Sequence, residues 1–344
     1  MTTTSRYRAA ARMITAIGVV SLAAACAGNG GGAPAGGGTP AGGGYPEQNI
    51  TFVVPFSAGG PTDTVTRMIA EPMAAKLGGK IVVQNVEGAG GTVGAGEVAR
   101  AEPNGYTVLM HHIGMSTAPA LYQNLGYKPL ESFDMVGLVT EVPMTIVARK
   151  DFEPKTLQDL VTYVKANAGK VTLANAGIGA ASHLCGLLFQ TAAGVKLQEV
   201  PYEGTGPALT DLVGGQVDFM CDQTTNTSGQ IAAGEVKAYA VTTPERVKSL
   251  PDLPTTTEAG LPKLQVSVWH GLYVPKGTPP DVVQKLTEAL KTALADQKVI
   301  DQMAKLGTAP VPAESATPQA HRAKLEEQLG TWAKVIADAG VKAS

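Results

Sequence analysis

Short apolar runs alternate with helix-patterned segments from Tyr45 onward, and this alternation constrains the fold more than any other feature of the chain. The first run, residues 50–55, is β-branched and aromatic without polar alternation, and it stops at a glycine-containing turn. Apolar residues at helical spacing follow, which predicts a helix capped by Thr62 or Asp63. Further runs lie at residues 81–86, 106–111 and 136–148. Buried runs joined by helices predict parallel strands in an α/β fold.

A second cycle of the same kind occupies the middle of the chain. Thr156 is expected to cap a helix, because a threonine before an apolar periodic segment is typical of a helix start. Strands are predicted at residues 171–174, 217–221 and 237–241. An extended apolar segment returns at residues 265–274, and the remainder of the chain has a helical pattern.

The two cycles predict two lobes. A chain of 344 residues has room for about two domains, and the chain crosses between the two cycles twice. We expect lobe 1 to comprise residues 45–143 and 270–344, and lobe 2 to comprise residues 144–269. Two crossings would form a hinge, and ligand sites favour the cleft between domains.

The N-terminal segment has the features of an export signal. Arg6, Arg8 and Arg12 precede an apolar stretch that is too short to span a bilayer, so we interpret residues 1–25 as a signal peptide. Its end, LAAAC, resembles a bacterial lipoprotein box with Cys26 as the lipidated residue, although the leucine lies one position further from the cysteine than usual. The alternative is an ordinary Ala-x-Ala cleavage site with an incidental cysteine.

Residues 26–44 are almost entirely Gly, Ala, Pro and Thr, a composition typical of a flexible tether. We therefore expect an exported protein, periplasmic or extracytoplasmic, that is anchored to the membrane through Cys26. Export leaves Cys185 and Cys221 in an oxidising compartment, where they either form a disulfide or remain buried thiols.

Composition excludes two classes of function. A formal net charge of −2 and few aromatic residues argue against nucleic-acid binding. No apolar run reaches the length of about 18 residues that a membrane span needs, which argues against a polytopic transporter.

Three glycine-rich turns, each between a predicted strand and a predicted helix, are candidates for ligand binding. They are residues 57–63, 175–183 and 202–207. Each turn presents backbone N–H groups at a helix N-terminus, where the helix dipole favours an anion. None contains Lys or Arg, so a bound anion would be held by N–H and hydroxyl donors.

Enzyme motifs match poorly. Gly94-x-Gly96 and Gly177-x-Gly179 loosely resemble dinucleotide fingerprints, but no Gly-Lys-Ser/Thr and no Gly-x-Ser-x-Gly is present. His111 and His112 lack partners at metal-ligand spacing. We expect no catalytic residue, no cofactor and no metal.

The same turns lie in motifs that resemble the extracytoplasmic solute-binding proteins of tripartite tricarboxylate transporters, the Bug or TctC family. The matching motifs are VVPFSAGGPTD (53–63), VEGAGGTVGA (86–95), PNGYTVL (103–109), ASHL (181–184), VPYEGTGPAL (200–209), GGQVD (214–218), LPT (253–255) and EAGLP (258–262). The resemblance extends over residues 45–341. It implies a two-lobed periplasmic-binding-protein fold of type 2, and a binding function without catalysis.

The resemblance also implies a set of ligand-binding residues. In lobe 1 these are Phe56, Ser57, Ala58, Gly59, Gly60, Thr62 and Asp63; in lobe 2 they are Gly179, Ser182, His183, Tyr202, Gly204, Thr205 and Asp222. For His183 and Asp222 a purely structural role is the alternative. His112 and Ser116 join the set because this chain has HHIGMS where relatives often carry Gly, Thr or Ser. The pocket is therefore expected to differ in polarity from those of relatives.

The resulting functional hypothesis is capture of a small organic mono- or dicarboxylate, aromatic acids included, by lobe closure. The implied partners are the membrane subunits of a tripartite tricarboxylate transporter, and the binding protein is expected to be a monomer. The alternative is a sensing protein of the same fold that signals through a membrane kinase without transport.

Overall fold

A computed structural model describes residues 44–341, which belong to one compact unit. The predicted signal peptide, Cys26 and nearly all of the predicted tether lie outside the described residues. Within the described range, no helix combines the length and the apolar character needed to cross a membrane.

The described chain alternates strands and helices from its first element, which confirms the predicted α/β class. The strands are β1 (Ile50–Val54), β2 (Ile81–Asn85), β3 (Thr107–His112), β4 (Phe133–Arg149), β5 (Thr172–Asn175), β6 (Gln198–Pro201), β7 (Phe219–Gln223), β8 (Val236–Val241) and β9 (Ser267–Pro275). The helices are α1 (Pro61–Leu77), α2 (Thr92–Ala99), α3 (Gly114–Leu121), α4 (Leu157–Ala166), α5 (Ala181–Ala193), α6 (Thr205–Val213), α7 (Thr224–Ala232), α8 (Pro280–Leu294), α9 (Gln297–Lys305) and α10 (Pro318–Asp338).

All nine strands join one sheet in the order β2-β1-β3-β9-β4-β7-β5-β6, with β8 also paired to β4. β1 pairs in parallel with β2 and β3, as the buried first run predicts. β5 likewise pairs in parallel with β6 and β7. The helices that follow these strands therefore begin at the same edge of each parallel group, because parallel strands end at a common edge.

β4 joins the two parts of the sheet. Its first part, from Phe133 to Pro143, pairs antiparallel with β9, and its second part, from Met144 onward, pairs with β7 and β8. We name the strands β1, β2, β3 and β9 with the first part of β4 the first half-sheet. The second half-sheet consists of β5–β8 with the second part of β4. The lobe boundaries given above remain a prediction.

Cys185 and Cys221 form a disulfide, so the thiol alternative is wrong in this structure. Their Cα atoms are 5.9 Å apart, within the range that disulfides require. The bond links α5 to β7, and both cysteines are buried.

Two local expectations need correction. α1 begins at Pro61 with Gly60 as the N-cap, so neither Thr62 nor Asp63 caps it. Proline is favoured at the first helical position because its fixed φ suits the helix and its missing N–H needs no partner there. β7 lies two residues further along than the predicted strand, which places Asp222 inside the strand instead of after it.

Thr156 does cap α4, as the sequence predicts. Its hydroxyl accepts a hydrogen bond from the Asp159 N–H at 3.1 Å, and the Asp159 carboxylate accepts from the Thr156 N–H at 3.0 Å. This reciprocal pair is a capping box, which satisfies two N–H groups that the helix itself leaves unpaired.

Thr156→Ala removes the hydroxyl half of this box and is expected to lower the free energy of unfolding by about 1 kcal/mol. Thr156→Ser keeps the acceptor and should stay within about 0.5 kcal/mol of the wild type. Urea denaturation measures both values. Equal stability of the alanine and serine variants would contradict a stabilising role for the cap.

Candidate ligand-binding site

A small cavity lies where elements of the two half-sheets meet. Its volume is about 20 Å³, which is room for about one water molecule. The residues that line it are Phe56, Gly60, Pro61, Thr62, His112, Ala176, Ala180, Ala181, Ser182, Thr205, Asp222 and Gln223. The structure thus brings to the cavity seven of the residues that the sequence predicts for the site: Phe56, Gly60, Thr62, His112, Ser182, Thr205 and Asp222.

Four helices begin at this cavity. The N-termini of α1, α5, α6 and α7 contribute Thr62, Ser182, Thr205 and Gln223 respectively. The first N–H groups of a helix have no partner inside it, and each N-terminus carries a partial positive charge. Among the described residues, no Lys or Arg lines the cavity. The arrangement suits a small anion that is held by dipoles and hydroxyls instead of cations.

The turn before α1 is held by Asp63, which does not line the cavity. Its carboxylate accepts from the Gly59 N–H at 2.9 Å and forms an ion pair with Arg67 at 2.8 Å. Burial favours the neutral acid, but hydrogen bonds from Arg67, Gly59 and Asn85 outweigh burial and lower the pKa of Asp63. Gly59 has φ of +77°, a conformation that glycine adopts without strain. Asp63 therefore shapes the turn.

The turn before α5 has a comparable internal frame. The Asn175 side chain accepts from the Gly177 N–H at 2.9 Å, and the Ser182 hydroxyl accepts from the Ala176 N–H at 2.8 Å. Ser182 keeps its own O–H proton for another acceptor, since a hydroxyl both accepts and donates. Gly177 and Gly179 both have positive φ.

His183 contacts this turn through Gly179 and does not line the cavity. Its Nδ1 accepts from the Gly179 N–H at 3.2 Å, and its Nε2 lies 3.5 Å from a Glu199 carboxylate oxygen. Burial lowers the pKa of His183, although Glu199 acts in the opposite direction. Both contacts hold the turn and neither reaches the cavity, which supports a purely structural role for His183.

The remaining predicted residues lie around the cavity without lining it. Tyr202 donates to Asp211 at 2.7 Å, and Ser116 donates at 2.6 Å to the carbonyl of Ile113, the N-cap of α3. Ala58 and Gly59 are exposed at the tip of the turn before α1. The predicted ligand-binding roles of these residues, and of Ser57, Gly179 and Gly204, stay predictions.

His112 enters the cavity from the end of β3. Its Nδ1 accepts from the Gly114 N–H at 2.9 Å, so the proton of the neutral ring is on Nε2. The ring stacks on Phe56 with 4.5 Å between centroids. Burial and the neighbouring rings of His111 and His270 hold the pKa of His112 well below 6.5. His112 is therefore a neutral ring with one N–H to donate.

Asp222 is the one carboxylate that lines the cavity in the described part of the chain. Burial raises its pKa to about 6, although hydrogen bonds from Asn226, the Gln223 N–H and Thr205 act in the opposite direction. These donors lie on α7, β7 and α6 and occupy the Asp222 carboxylate, which supports the structural alternative for this residue.

Gln223 is a lining residue that the sequence analysis missed. Its side-chain Oε1 is buried and has no hydrogen-bond partner among the described residues. The signal was weak, because α7 begins with Thr224 and is rich in Thr, Asn and Ser, residues that do not show an apolar helical pattern.

Segments that belong to different half-sheets touch around the cavity. The Ser57 N–H donates to the Glu203 carbonyl at 3.2 Å, and the Thr117 hydroxyl donates to the Gly179 carbonyl at 2.9 Å. Gly204 packs so closely on Ser57 that a Cβ atom at Gly204 would overlap the Ser57 hydroxyl. The cavity is thus sealed by contacts made from both sides.

An open groove of about 570 Å³ lies on the outer side of these contacts. It is lined from one side by Ala58 and Gly59 and from the other by residues of α6 and α7, including Gly206, Pro207 and Asn226.

Within the described residues, no group of His, Cys, Asp or Glu is arranged to hold a metal ion.

Asp222→Asn tests the electrostatics of the cavity wall. The folded pKa of Asp222 is about 6 and its ordinary value is 3.8. The neutral acid therefore favours folding, a contribution that is complete below the ordinary value and is lost as the pH rises through the folded value. We expect the unfolding free energy of the wild type, relative to the asparagine variant, to fall by roughly 2 kcal/mol between pH 4 and pH 7.

Denaturant titrations of both proteins across this pH range measure that difference. The asparagine variant is the matched reference because it lacks only this titration. A difference that does not change with pH would show that Asp222 keeps its ordinary pKa in the folded protein.

Comparisons with known proteins agree with this geometry. The family model described as "Tripartite tricarboxylate transporter family receptor" matches residues 65–341. A UPF0065 protein from the TAR-I ttuE-ttuC' intergenic region of Agrobacterium vitis is 55% identical over 295 residues, which cover 86% of this chain and 85% of that protein.

Two solved structures are also similar. The periplasmic binding protein BugD is 54% identical, with a TM-score of 0.86, and the match covers 87% of this chain and all of BugD. MatC from Rhodopseudomonas palustris, solved with bound malate, is 42% identical with a TM-score of 0.83, and the match covers 85% of this chain and all of MatC. These matches confirm the predicted two-lobed periplasmic-binding-protein fold. The chain belongs to the tripartite tricarboxylate transporter receptor family, the TctC or Bug family of periplasmic solute-binding proteins.

Proposed function

We propose that this protein captures a small organic mono- or dicarboxylate between its two lobes and delivers it to the membrane subunits of a tripartite tricarboxylate transporter. The observation that carries the proposal is the convergence of four helix N-termini on one sealed cavity that no Lys or Arg of the described residues lines. A carboxylate fits such a site because N–H dipoles and hydroxyls solvate a small anion without a counter-charge.

The donors available are sufficient for useful affinity. Thr62 and Ser182 supply N–H groups and hydroxyls at the starts of α1 and α5, and His112 supplies its Nε2–H. A hydrogen bond to a charged group contributes about 1.5–3 kcal/mol. Three or four such bonds support micromolar binding, about −8 kcal/mol, after the costs of association.

Ligand entry requires the lobes to part. A cavity of about 20 Å³ holds about one water molecule, which is much less than a carboxylate of several non-hydrogen atoms. The ligand therefore enters an open form and is enclosed when the contacts at Ser57 and Thr117 form again. A ligand drives this closure by binding the closed form more tightly than the open form.

The relatives support the ligand class and the partner. MatC binds malate, a dicarboxylate, which supports a dicarboxylate here. The family description supports delivery to a transporter in preference to signalling through a kinase. Export and anchoring at Cys26 are part of the proposal, and their support is the arginine-rich start, the apolar stretch and the glycine-rich tether of the sequence.

A thermal-shift screen of the mature protein tests the ligand class. Mono-, di-, tri- and aromatic carboxylates form the panel, with sugars, amines and nucleotides as controls. A ligand that binds only the native state at about 100 times its Kd adds about 2.7 kcal/mol of stability, so a selective carboxylate hit is expected. With that hit, His112→Ala should bind at least several-fold more weakly because it lacks the Nε2–H donor. Stabilisation by the control compounds alone would overturn the proposal.

Gly204→Ala tests the role of closure. Gly204 has φ of 174°, which any residue adopts, so the variant acts through the overlap of its Cβ with the hydroxyl, Cβ and backbone nitrogen of Ser57. We expect faster hydrogen exchange of the Ser57 amide and about tenfold weaker carboxylate binding. Gly229→Ala is the matched control, because a Cβ at Gly229 meets nothing within 4 Å. Unchanged affinity in Gly204→Ala would show that ligand binding does not depend on the contact between Gly204 and Ser57.

A further inference from the structure

We propose that the Cys185–Cys221 disulfide positions the lobe 2 half of the ligand site, an inference that rests on the proposed function. The bond holds the start of α5 and the end of β7 at a fixed spacing, and each of these supplies part of the cavity wall. Cys185 and Cys221 act as positioning residues and do not line the cavity themselves.

Both cysteines are adjacent to lining residues. Ser182 precedes Cys185 by one helical turn on the same face of α5, since residues three apart on a helix are neighbours. Asp222 and Gln223 follow Cys221 directly in β7. All three neighbours line the cavity. A shift of α5 against β7 would therefore change the distance between the Ser182 hydroxyl and the Gln223 amide.

The disulfide lies at the point where the pairing of β7 with β5 ends. β5 and β7 pair only at Leu173 with Phe219 and at Ala174 with Met220. Cys221 is the next residue, so from this point β7 keeps its hydrogen-bonded pairing with β4 on its other side. Beyond the end of the pairing with β5, the disulfide links β7 to α5.

The opposite end of the same strand pair is fastened by a polar network. The Asp218 carboxylate accepts from the Thr172 N–H at 2.8 Å and from the Thr172 hydroxyl at 3.0 Å, and Arg149 donates to it at 3.0 Å. β5 and β7 are thus joined by hydrogen bonds at the end far from the cavity and linked through the disulfide at the cavity end.

The loop that the disulfide closes also contains the third glycine-rich turn. Its two ends are separated by 36 residues, and between them lie Glu203, which accepts from the Ser57 N–H, and Thr205, which lines the cavity. Fixing both ends of the loop at the cavity restricts the position of this turn as well. The disulfide therefore restricts the positions of α5, β7 and the third glycine-rich turn, all of which contribute lining residues.

The test compares Cys185→Ala/Cys221→Ala with Leu160→Ala in the mature protein. Leu160 is buried in α4 and does not line the cavity, so its alanine variant is expected to lose stability while it keeps the cross-link between α5 and β7. Succinate is the probe, and its Kd is measured by calorimetry at a temperature at which circular dichroism shows all three proteins folded. We expect the Kd to rise about tenfold in the double cysteine variant and to remain at the wild-type value in Leu160→Ala.

Hydrogen exchange supplies a readout that needs no ligand. Amides at the starts of α5 and α7 should exchange faster in the double cysteine variant than in Leu160→Ala. Unchanged exchange there, or equal losses of affinity in both variants, would overturn the positioning role and leave the disulfide as a stabilising cross-link. If succinate and the other carboxylates fail to bind the wild type, the proposed function fails, and the exchange measurement still decides the positioning claim.

Discussion

The rest of the structure depends on the continuity of β4. This 17-residue strand pairs with β9 over its first part and with β7 and β8 over its second part, so it belongs to both half-sheets. Its register shifts at two points against β9 and at one point against β8. The elements that reach the cavity from either side are attached to this one strand directly or through its neighbours.

The cavity has a low density of formal charge, and this has a physical consequence for selectivity. Dipoles at helix N-termini and hydroxyl groups are fixed by the backbone, so they favour an anion at one position and in one orientation. A lysine or arginine would attract anions over a longer range and with less geometric demand. The Asp63–Arg67 pair illustrates the contrast, since this cation is used to hold the turn and not to line the cavity.

Much of the fold could be predicted because the relevant signals are local. The apolar run at residues 50–55 is β1, and Thr156 caps α4 as its position before an apolar segment indicates. The site was predicted through motifs, and Thr62, Ser182 and Asp222 do lie together at the cavity. Gln223 was missed because its place depends on α7, which has no apolar periodicity to reveal it. The disulfide was left open because the distance between Cys185 and Cys221 is a property of tertiary packing.

The groove beside the Ala58–Gly59 tip has two walls, one from the turn before α1 and the other from α6 and α7. Such a groove keeps its shape only while the two walls stay together. If the walls part, as the proposed ligand entry requires, the cavity and the groove open together, because both are bounded by the turn before α1 and the start of α6. Ligand capture in the buried cavity would in this way alter a surface that is exposed to solvent.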